Sequence, residues 1–139
     1  MSVNALQLVS RSALVALAAA ISASACGDAV SPVCPGDIVT VTASSGTTPE
    51  FTWTPACPVA QLDVDDMTQG GVNVWRISGQ GTNAIAPGLR YGETPTGAVQ
   101  LRAPDPLVAG REYRLTVLRW VGDAQSGGLA GGGVARFTP

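Results

Sequence analysis

Tyr113-Arg114-Leu115-Thr116-Val117 is the stretch that decides the fold of this chain. Its apolar and polar side chains alternate strictly, which is typical of a strand with one buried face. Tyr113, Leu115 and Val117 are therefore expected to face a core, and the two residues between them point away from it. From residue 37 onward no stretch has the apolar spacing of a helix. The sequence predicts an all-β domain over 37–139.

The rest of the domain repeats this pattern in short runs that Gly, Pro, Asn and Ser separate. The predicted strands are 38–43, 50–54, 60–64, 72–78, 98–102, 111–121 and 134–138. The first two form a hairpin around 44–48, in which Val39 is expected to pair with Trp53. Val41 would then pair with Phe51, so that four apolar side chains share one face. Seven short strands of this kind predict an antiparallel β-sandwich.

Two connections between the predicted strands are long. Residues 122–133 are rich in glycine and are interpreted as a flexible hairpin connection. A phosphate cradle is disfavoured there because no helix follows to supply a dipole. Residues 79–97 contain Pro87, Tyr91 and Pro95 and form a connection of unusual length for a β domain. Long structured loops are often functional, so this one is a candidate binding element.

The amino-terminal part has a different composition. Arg11 supplies one positive charge, an apolar run of small residues follows over 12–25, and Cys26 comes next. This order is the three-part pattern of a secretory signal peptide, predicted here over 1–25. The run is too short for a transmembrane helix, which needs about 20 apolar residues.

The residues Ala23-Ser24-Ala25-Cys26 resemble the lipobox of bacterial lipoproteins, with Ala23 where that family usually has Leu or Val. The resemblance implies a diacylglyceryl group on the Cys26 sulfur and cleavage just before this residue. Residues 26–36 would then be a lipidated tether. The mature protein would be held by its lipid in a membrane of the bacterial cell envelope, at the outer membrane or the periplasmic face.

Two further cysteines remain once Cys26 is assigned to the lipid. The predicted hairpin brings Cys34 and Cys57 just outside its open end, and an exported protein meets an oxidising compartment. We therefore expect a disulfide between them. Two free buried thiols are the alternative.

Two segments resemble fibronectin type III domains. Residues 49–55, Pro-Glu-Phe-Thr-Trp-Thr-Pro, resemble the second strand of that family, where a Trp enters the core just before a Pro. Residues 107–117 resemble the approach to its sixth strand, where a Leu, a Gly and a Tyr form the tyrosine corner. Phe137-Thr138 resembles its closing strand. The resemblance covers about 37–139 and implies a sandwich that serves as a binding or spacer module; an immunoglobulin-like relative is the alternative.

The residue types restrict the chemistry. The chain has no His and no Lys, which excludes Ser-His, Cys-His and Ser-Lys pairs. After cleavage it would carry seven Arg against ten acids, without a basic cluster, which argues against a nucleic-acid partner. Asp63, Asp65 and Asp66 form its acidic cluster; the first two are expected on a solvated strand face, and a Ca²⁺ site is the alternative. We expect no cofactor, no resident metal and no enzymatic activity.

Three residues are candidate ligand contacts. Trp120 and Arg114 share the strand face opposite Tyr113, and a Trp there can stack on a sugar or a protein or simply cover a sheet edge. Tyr91 lies in the long connection and is expected outside the core. The expected function is a non-enzymatic, lipid-anchored envelope protein that acts in structure or in contact with a protein or glycan partner. A carbohydrate- or small-ligand-binding module is the alternative, and a hydrolase is a more distant one.

Overall fold

The computed structural model describes residue 34 and residues 39–121 and 127–139. The predicted signal peptide, 1–25, and the predicted lipidation site, Cys26, lie outside these residues. Within them, no helix has the length and apolar character needed to cross a membrane.

The described residues form eight strands in two antiparallel sheets, which confirms the predicted all-β architecture. The strands are β1 (Thr40–Ala43), β2 (Glu50–Thr54), β3 (Gln61–Asp66), β4 (Val72–Ser78), β5 (Leu89–Arg90), β6 (Val99–Arg102), β7 (Tyr113–Trp120) and β8 (Leu129–Phe137). The smaller sheet has the order β1-β2-β5 and the larger sheet the order β6-β4-β3-β7-β8. A single 3-10 turn, Met67–Gln69, connects β3 to β4.

The core lies between the two sheets. Alternate residues of β7 are buried, so the expected orientation of Tyr113, Leu115 and Val117 is confirmed. Phe51 of the smaller sheet packs against Trp75 of the larger sheet, with ring centroids 6.4 Å apart. Aromatic pairs at this separation add to the stability that burial provides.

The β1–β2 hairpin has a different register from the predicted one. Val41 pairs with Trp53, and Ala43 pairs with Phe51. The reason is Pro49, which has no N–H to contribute to a ladder and stays in the turn. Pairing therefore ends at Glu50, whose N–H donates to the Ser44 hydroxyl. The apolar side chains keep the predicted face because the shift is two residues, a full period of the strand.

Strand β8 begins at Leu129 instead of residue 134, so the interpretation of 122–133 as one flexible connection is wrong for its second half. Glycine carries no side chain that could show the alternating pattern. Gly133 is nevertheless required, because a Cβ there would press on the carbonyl oxygen of Val39 and would lie 2.6 Å from Val41 Cγ2. Residues 122–126 lie outside the described residues.

The long connection 79–97 is largely built into the sandwich. Ile85 pairs with Val59 in an isolated bridge, and both side chains are fully buried. Strand β5, which the sequence pattern did not indicate, then pairs with the start of β2. Two residues are too few for an alternating pattern, so β5 depends on contacts with β2.

Cys34 and Cys57 form a disulfide, with Cα atoms 5.8 Å apart. Cys57 is fully buried, and its carbonyl oxygen accepts a 2.7 Å hydrogen bond from the indole Nε1 of Trp53. The bridge therefore joins the chain before β1 to a segment after β2 that the core Trp already holds in place.

The hydroxyl group of Tyr113 accepts a 2.9 Å hydrogen bond from the backbone N–H of Val108, and the side chain is 1% exposed. The resemblance of residues 107–117 to a tyrosine corner implies this contact between the tyrosine hydroxyl and the backbone of the preceding turn. It holds the β6–β7 connection against the start of β7.

Replacing Tyr113 with Phe is expected to lower the free energy of unfolding by about 1–3 kcal/mol, because the Val108 N–H loses its acceptor. Urea denaturation of the two proteins measures the difference. Tyr91→Phe is the matched control, and it should have the smaller effect, because its shorter hydrogen bond goes to the carbonyl oxygen of Asp105, an exposed residue. A larger loss for Tyr91→Phe would contradict the assigned role of Tyr113.

Candidate functional site

A pocket of about 410 Å³ opens at the end of the sandwich where β1 ends and β2 begins. It is lined by residues from three segments that are distant in the chain: Thr47, Thr48, Tyr91, Gly92, Pro104, Asp105, Pro106 and Leu107. The first segment is the β1–β2 turn, the second follows β5, and the third connects β6 to β7. We call this cavity the distal pocket and this end of the sandwich the pocket end.

Tyr91 is held rigidly in the wall of the distal pocket. Its hydroxyl donates a 2.7 Å hydrogen bond to the carbonyl oxygen of Asp105. Its ring meets the rings of Phe51 and Trp75 edge to face, at centroid distances of 6.4 and 5.1 Å. Burial, and secondarily the Asp105 carboxylate, raise the pKa of Tyr91 above its ordinary value. The expectation that Tyr91 lies outside the core is wrong, because its ring packs against the core aromatics.

The segment around Asp105, which Tyr91 contacts, is also constrained. The N–H of Asp105 donates to the carbonyl oxygen of Val74 at 2.9 Å. Its carboxylate Oδ2 lies 2.8 Å from Nη2 of Arg102, and both side chains are about half exposed. Gly92 has a φ of +86°, and a Cβ there would lie 3.5 Å from Pro104 Cγ. Tyr91 and Asp105 therefore contribute to the pocket with groups that already have partners.

The distal pocket and the disulfide lie at opposite ends of the sandwich. Cys34 precedes β1 and Cys57 follows β2, whereas Thr47 and Thr48 occupy the turn between these strands. Residues 48–54 span roughly 20 Å at 3.4 Å per residue. The end that holds the disulfide, which we call the bridge end, is thus separated from the pocket by the length of a strand.

The three aspartates of the acidic cluster are buried, so the predicted solvent exposure of Asp63 and Asp65 is wrong. Each of the three carboxylates forms an ion pair with an arginine. The pairs are Asp63 with Arg76, Asp65 with Arg114 at 2.9 Å, and Asp66 with Arg111 at 3.1 Å. The first two do lie on the outer face of the larger sheet, but arginines of neighbouring strands cover them. Within the described residues, no group of three His, Cys, Asp or Glu side chains is placed to hold a metal ion.

Asp66 has an additional local role. Its Oδ1 accepts hydrogen bonds from the N–H groups of Thr68 and Gln69, at 2.9 and 3.3 Å, and so caps the 3-10 turn. Together with the ion pairs described above, this contact links β3 to its neighbouring strands and to the turn. The cluster is a structural network of the larger sheet.

The predicted ligand contacts do not come together. Arg114 and Trp120 share the outer face of β7, but six residues of strand separate them by about 20 Å. Arg114 is engaged by Asp65. Trp120 lies at the bridge end, where Asn83 bonds both its N–H and its carbonyl oxygen. Of the three candidates, Tyr91 alone lines the distal pocket.

The outer face of β7 and β8 carries a short apolar stripe. Trp120 lies directly opposite Leu129, which is 41% exposed, and Val134 on the same strand is 59% exposed. Leu118 completes the stripe between them. The stripe is a second accessible surface, separate from the distal pocket.

Sequence reasoning missed most of the pocket. Thr47 and Thr48 read as ordinary turn residues, and no pattern joins them to Asp105. The segment Pro104-Asp105-Pro106 is the one signal of the pocket in the sequence. Two prolines stiffen the backbone on either side of an acidic residue in a connection between strands.

Comparison of this chain with protein-family models, with curated proteins and with solved structures found no match.

Proposed function

We propose that this chain is a non-enzymatic, lipid-anchored protein of the bacterial cell envelope, whose β-sandwich acts as an interaction module for a protein or glycan partner. The observation that carries this proposal is the separation of the bridge end, where the proposed tether joins the domain, from the pocket end. A domain held at one end and open at the other is suited to presenting a surface away from its membrane.

The point at which the tether is attached supports this arrangement. Cys26 precedes Cys34 by eight residues, a span of at most about 28 Å when fully extended. The disulfide makes Cys34 the last point of the tether, because it ties this residue to the buried Cys57. A lipid on Cys26 would therefore attach at the bridge end of the sandwich.

A fibronectin type III-like assignment of the sandwich belongs to the same proposal. Two contacts support it: the hydrogen bond from Val108 to the Tyr113 hydroxyl, and the burial of Trp53 just before Pro55. The first has the geometry of a tyrosine corner. The arginine-bound aspartates support a non-enzymatic role, since the chain offers neither His nor Lys as an alternative base.

A second candidate function is the binding of a carbohydrate or another small ligand. The distal pocket favours it, because the pocket volume lies within the range of small-ligand sites. Its wall also contains Tyr91, one of the candidate contacts from the sequence. The two functions are compatible, since an anchored module can recognise its partner through a pocket.

Replacing Cys26 with Ser tests the proposed anchor. The unchanged protein is expected to partition into detergent and to have the mass of a chain that begins at a diacylated Cys26. The Cys26→Ser variant should be soluble or unprocessed, because it lacks the sulfur that accepts the lipid. Membrane fractionation and intact-mass measurement read out both effects.

Ser31→Ala, within the tether, is the control and should leave retention and mass unchanged. If Cys26→Ser remained in the membrane with an unaltered mass, the lipid anchor would be refuted.

A further inference from the structure

We infer that the distal pocket binds one neutral sugar ring of an oligosaccharide. This inference rests on the second candidate function above and names the ligand class for its site. A pyranose has two apolar C–H faces and an equatorial belt of hydroxyl groups. Each part has a counterpart in the lining of the pocket.

The apolar part of the lining matches the faces of a sugar ring. Tyr91, Pro104, Pro106 and Leu107 contribute hydrocarbon surface, and Leu107 is buried. Aromatic side chains combine a flat apolar surface with a fixed geometry. Tyr91 has little freedom left to lose on binding, because its hydroxyl is bonded and its ring is packed. A site ordered in advance binds at a lower entropic cost.

The polar part of the lining matches the hydroxyl belt. The Thr47 and Thr48 hydroxyls both donate and accept hydrogen bonds. Asp105 adds a carboxylate that accepts, and the guanidinium of Arg102, which pairs with this carboxylate from outside the lining, is a donor next to it. An adjacent acceptor and donor can engage two neighbouring hydroxyl groups of one sugar, through hydrogen bonds strengthened by charge.

The charge of the site favours a neutral ligand. The Asp105 carboxylate is already paired with Arg102 at 2.8 Å, so neither a cationic nor an anionic ligand meets an unpaired opposite charge. A polyproline peptide fits less well, because its backbone has no N–H and so cannot donate a hydrogen bond to the Asp105 carboxylate. The phenol of Tyr91 is not available to it as a donor either, since this hydroxyl is directed at the carbonyl oxygens of Asp105 and Val74.

The test is a titration of the full chain, purified in detergent, with cellotetraose, maltotetraose and the tetramer of N-acetylglucosamine. Saturation-transfer NMR identifies the bound sugar protons, and calorimetry gives the affinity. At least one of these sugars is expected to bind. Asp105→Asn and Thr47→Val should each weaken that binding about tenfold, the effect of losing a hydrogen bond to a charged or well-placed group. Thr47 is exposed, so its variant keeps the test valid if Asp105→Asn perturbs folding.

Matched controls are Glu112→Gln and Thr42→Val, an exposed acid and an exposed threonine outside the pocket; neither should change the affinity. The inference is overturned if none of the three sugars binds, or if the pocket variants bind as tightly as the unchanged chain. It is also overturned if decaproline or 3′-sialyllactose binds at the pocket more tightly than every neutral sugar.

Failure of sugar binding while Cys26→Ser still abolishes anchoring would reject this inference alone. Loss of the anchoring result with sugar binding intact would reject the lipoprotein proposal alone.

Discussion

Replacing Gly133 with Ala is expected to lower the free energy of unfolding by about 3 kcal/mol, the upper part of the usual range for overpacking a core. The new methyl group would press on the carbonyl oxygen of Val39 and would lie 2.6 Å from Val41 Cγ2. Neither the backbone at Val39 nor strand β8 can shift easily to relieve this contact. The N–H of Val39 bonds the carbonyl oxygen of Gly132, and β8 is held by its ladder to β7.

Gly128→Ala is the matched control, because a Cβ at that position, just before β8, has no atom within 4 Å. Its free energy of unfolding, measured in urea, should stay within a few tenths of a kcal/mol of that of the unchanged protein, as is usual for exposed positions. Equal midpoints for Gly133→Ala and Gly128→Ala would show that β1 does not pack closely on β8.

Removing the disulfide is expected to cost roughly 3 kcal/mol in the chain-entropy model, since the bridge closes a loop with a sequence separation of 23. The double variant Cys34→Ala/Cys57→Ala removes it without leaving a lone thiol in the core. Urea unfolding of this variant and of the unchanged protein under oxidising conditions measures the difference. Addition of a reductant should destabilise only the unchanged protein.

Cys26→Ser is the control for this experiment and should unfold at the same urea concentration as the unchanged protein. Peptide mapping without reduction should recover one linked pair that contains Cys34 and Cys57. Free thiols at both positions, or a bridge to Cys26, would contradict the structure.

The losses of stability expected for Gly133→Ala and for removal of the disulfide both concern the attachment of β1. The disulfide fixes the chain before this strand, and the close approach of Val39 to Gly132 and Gly133 joins it to the larger sheet. If the lipid is at Cys26, the tether enters the domain through β1. A firmly held first strand then keeps any pull on the anchor from opening the sandwich.

The strand content could be predicted well because alternation is a property of one strand by itself. β2 and β4 have the predicted bounds, and the core face of β7 follows from the spacing of Tyr113, Leu115 and Val117. The cysteine pair could be predicted for a similar reason, since two cysteines flanking one hairpin lie near each other whatever the rest of the fold does.

The elements that were missed depend on other strands. β5 has two residues and exists through its pairing with β2. The first half of β8 is rich in glycine, which leaves no apolar signal in the sequence. At Gly133 the close approach of β1 requires this residue. The burial of Asp63 and Asp65 depends likewise on arginines from β4 and β7.

The sequence by itself determined the fold class and the buried face of the long strand, because these follow from local spacing. It favoured a pair between Cys34 and Cys57, which the structure contains. Only the tertiary structure decided the distal pocket. Its lining comes from 47–48, 91–92 and 104–107, three connections that meet because the two sheets pack face to face and bring their turns to one end. Contacts of this kind depend on how strands are ordered across two sheets, and a residue's neighbours in the chain carry no information about that order.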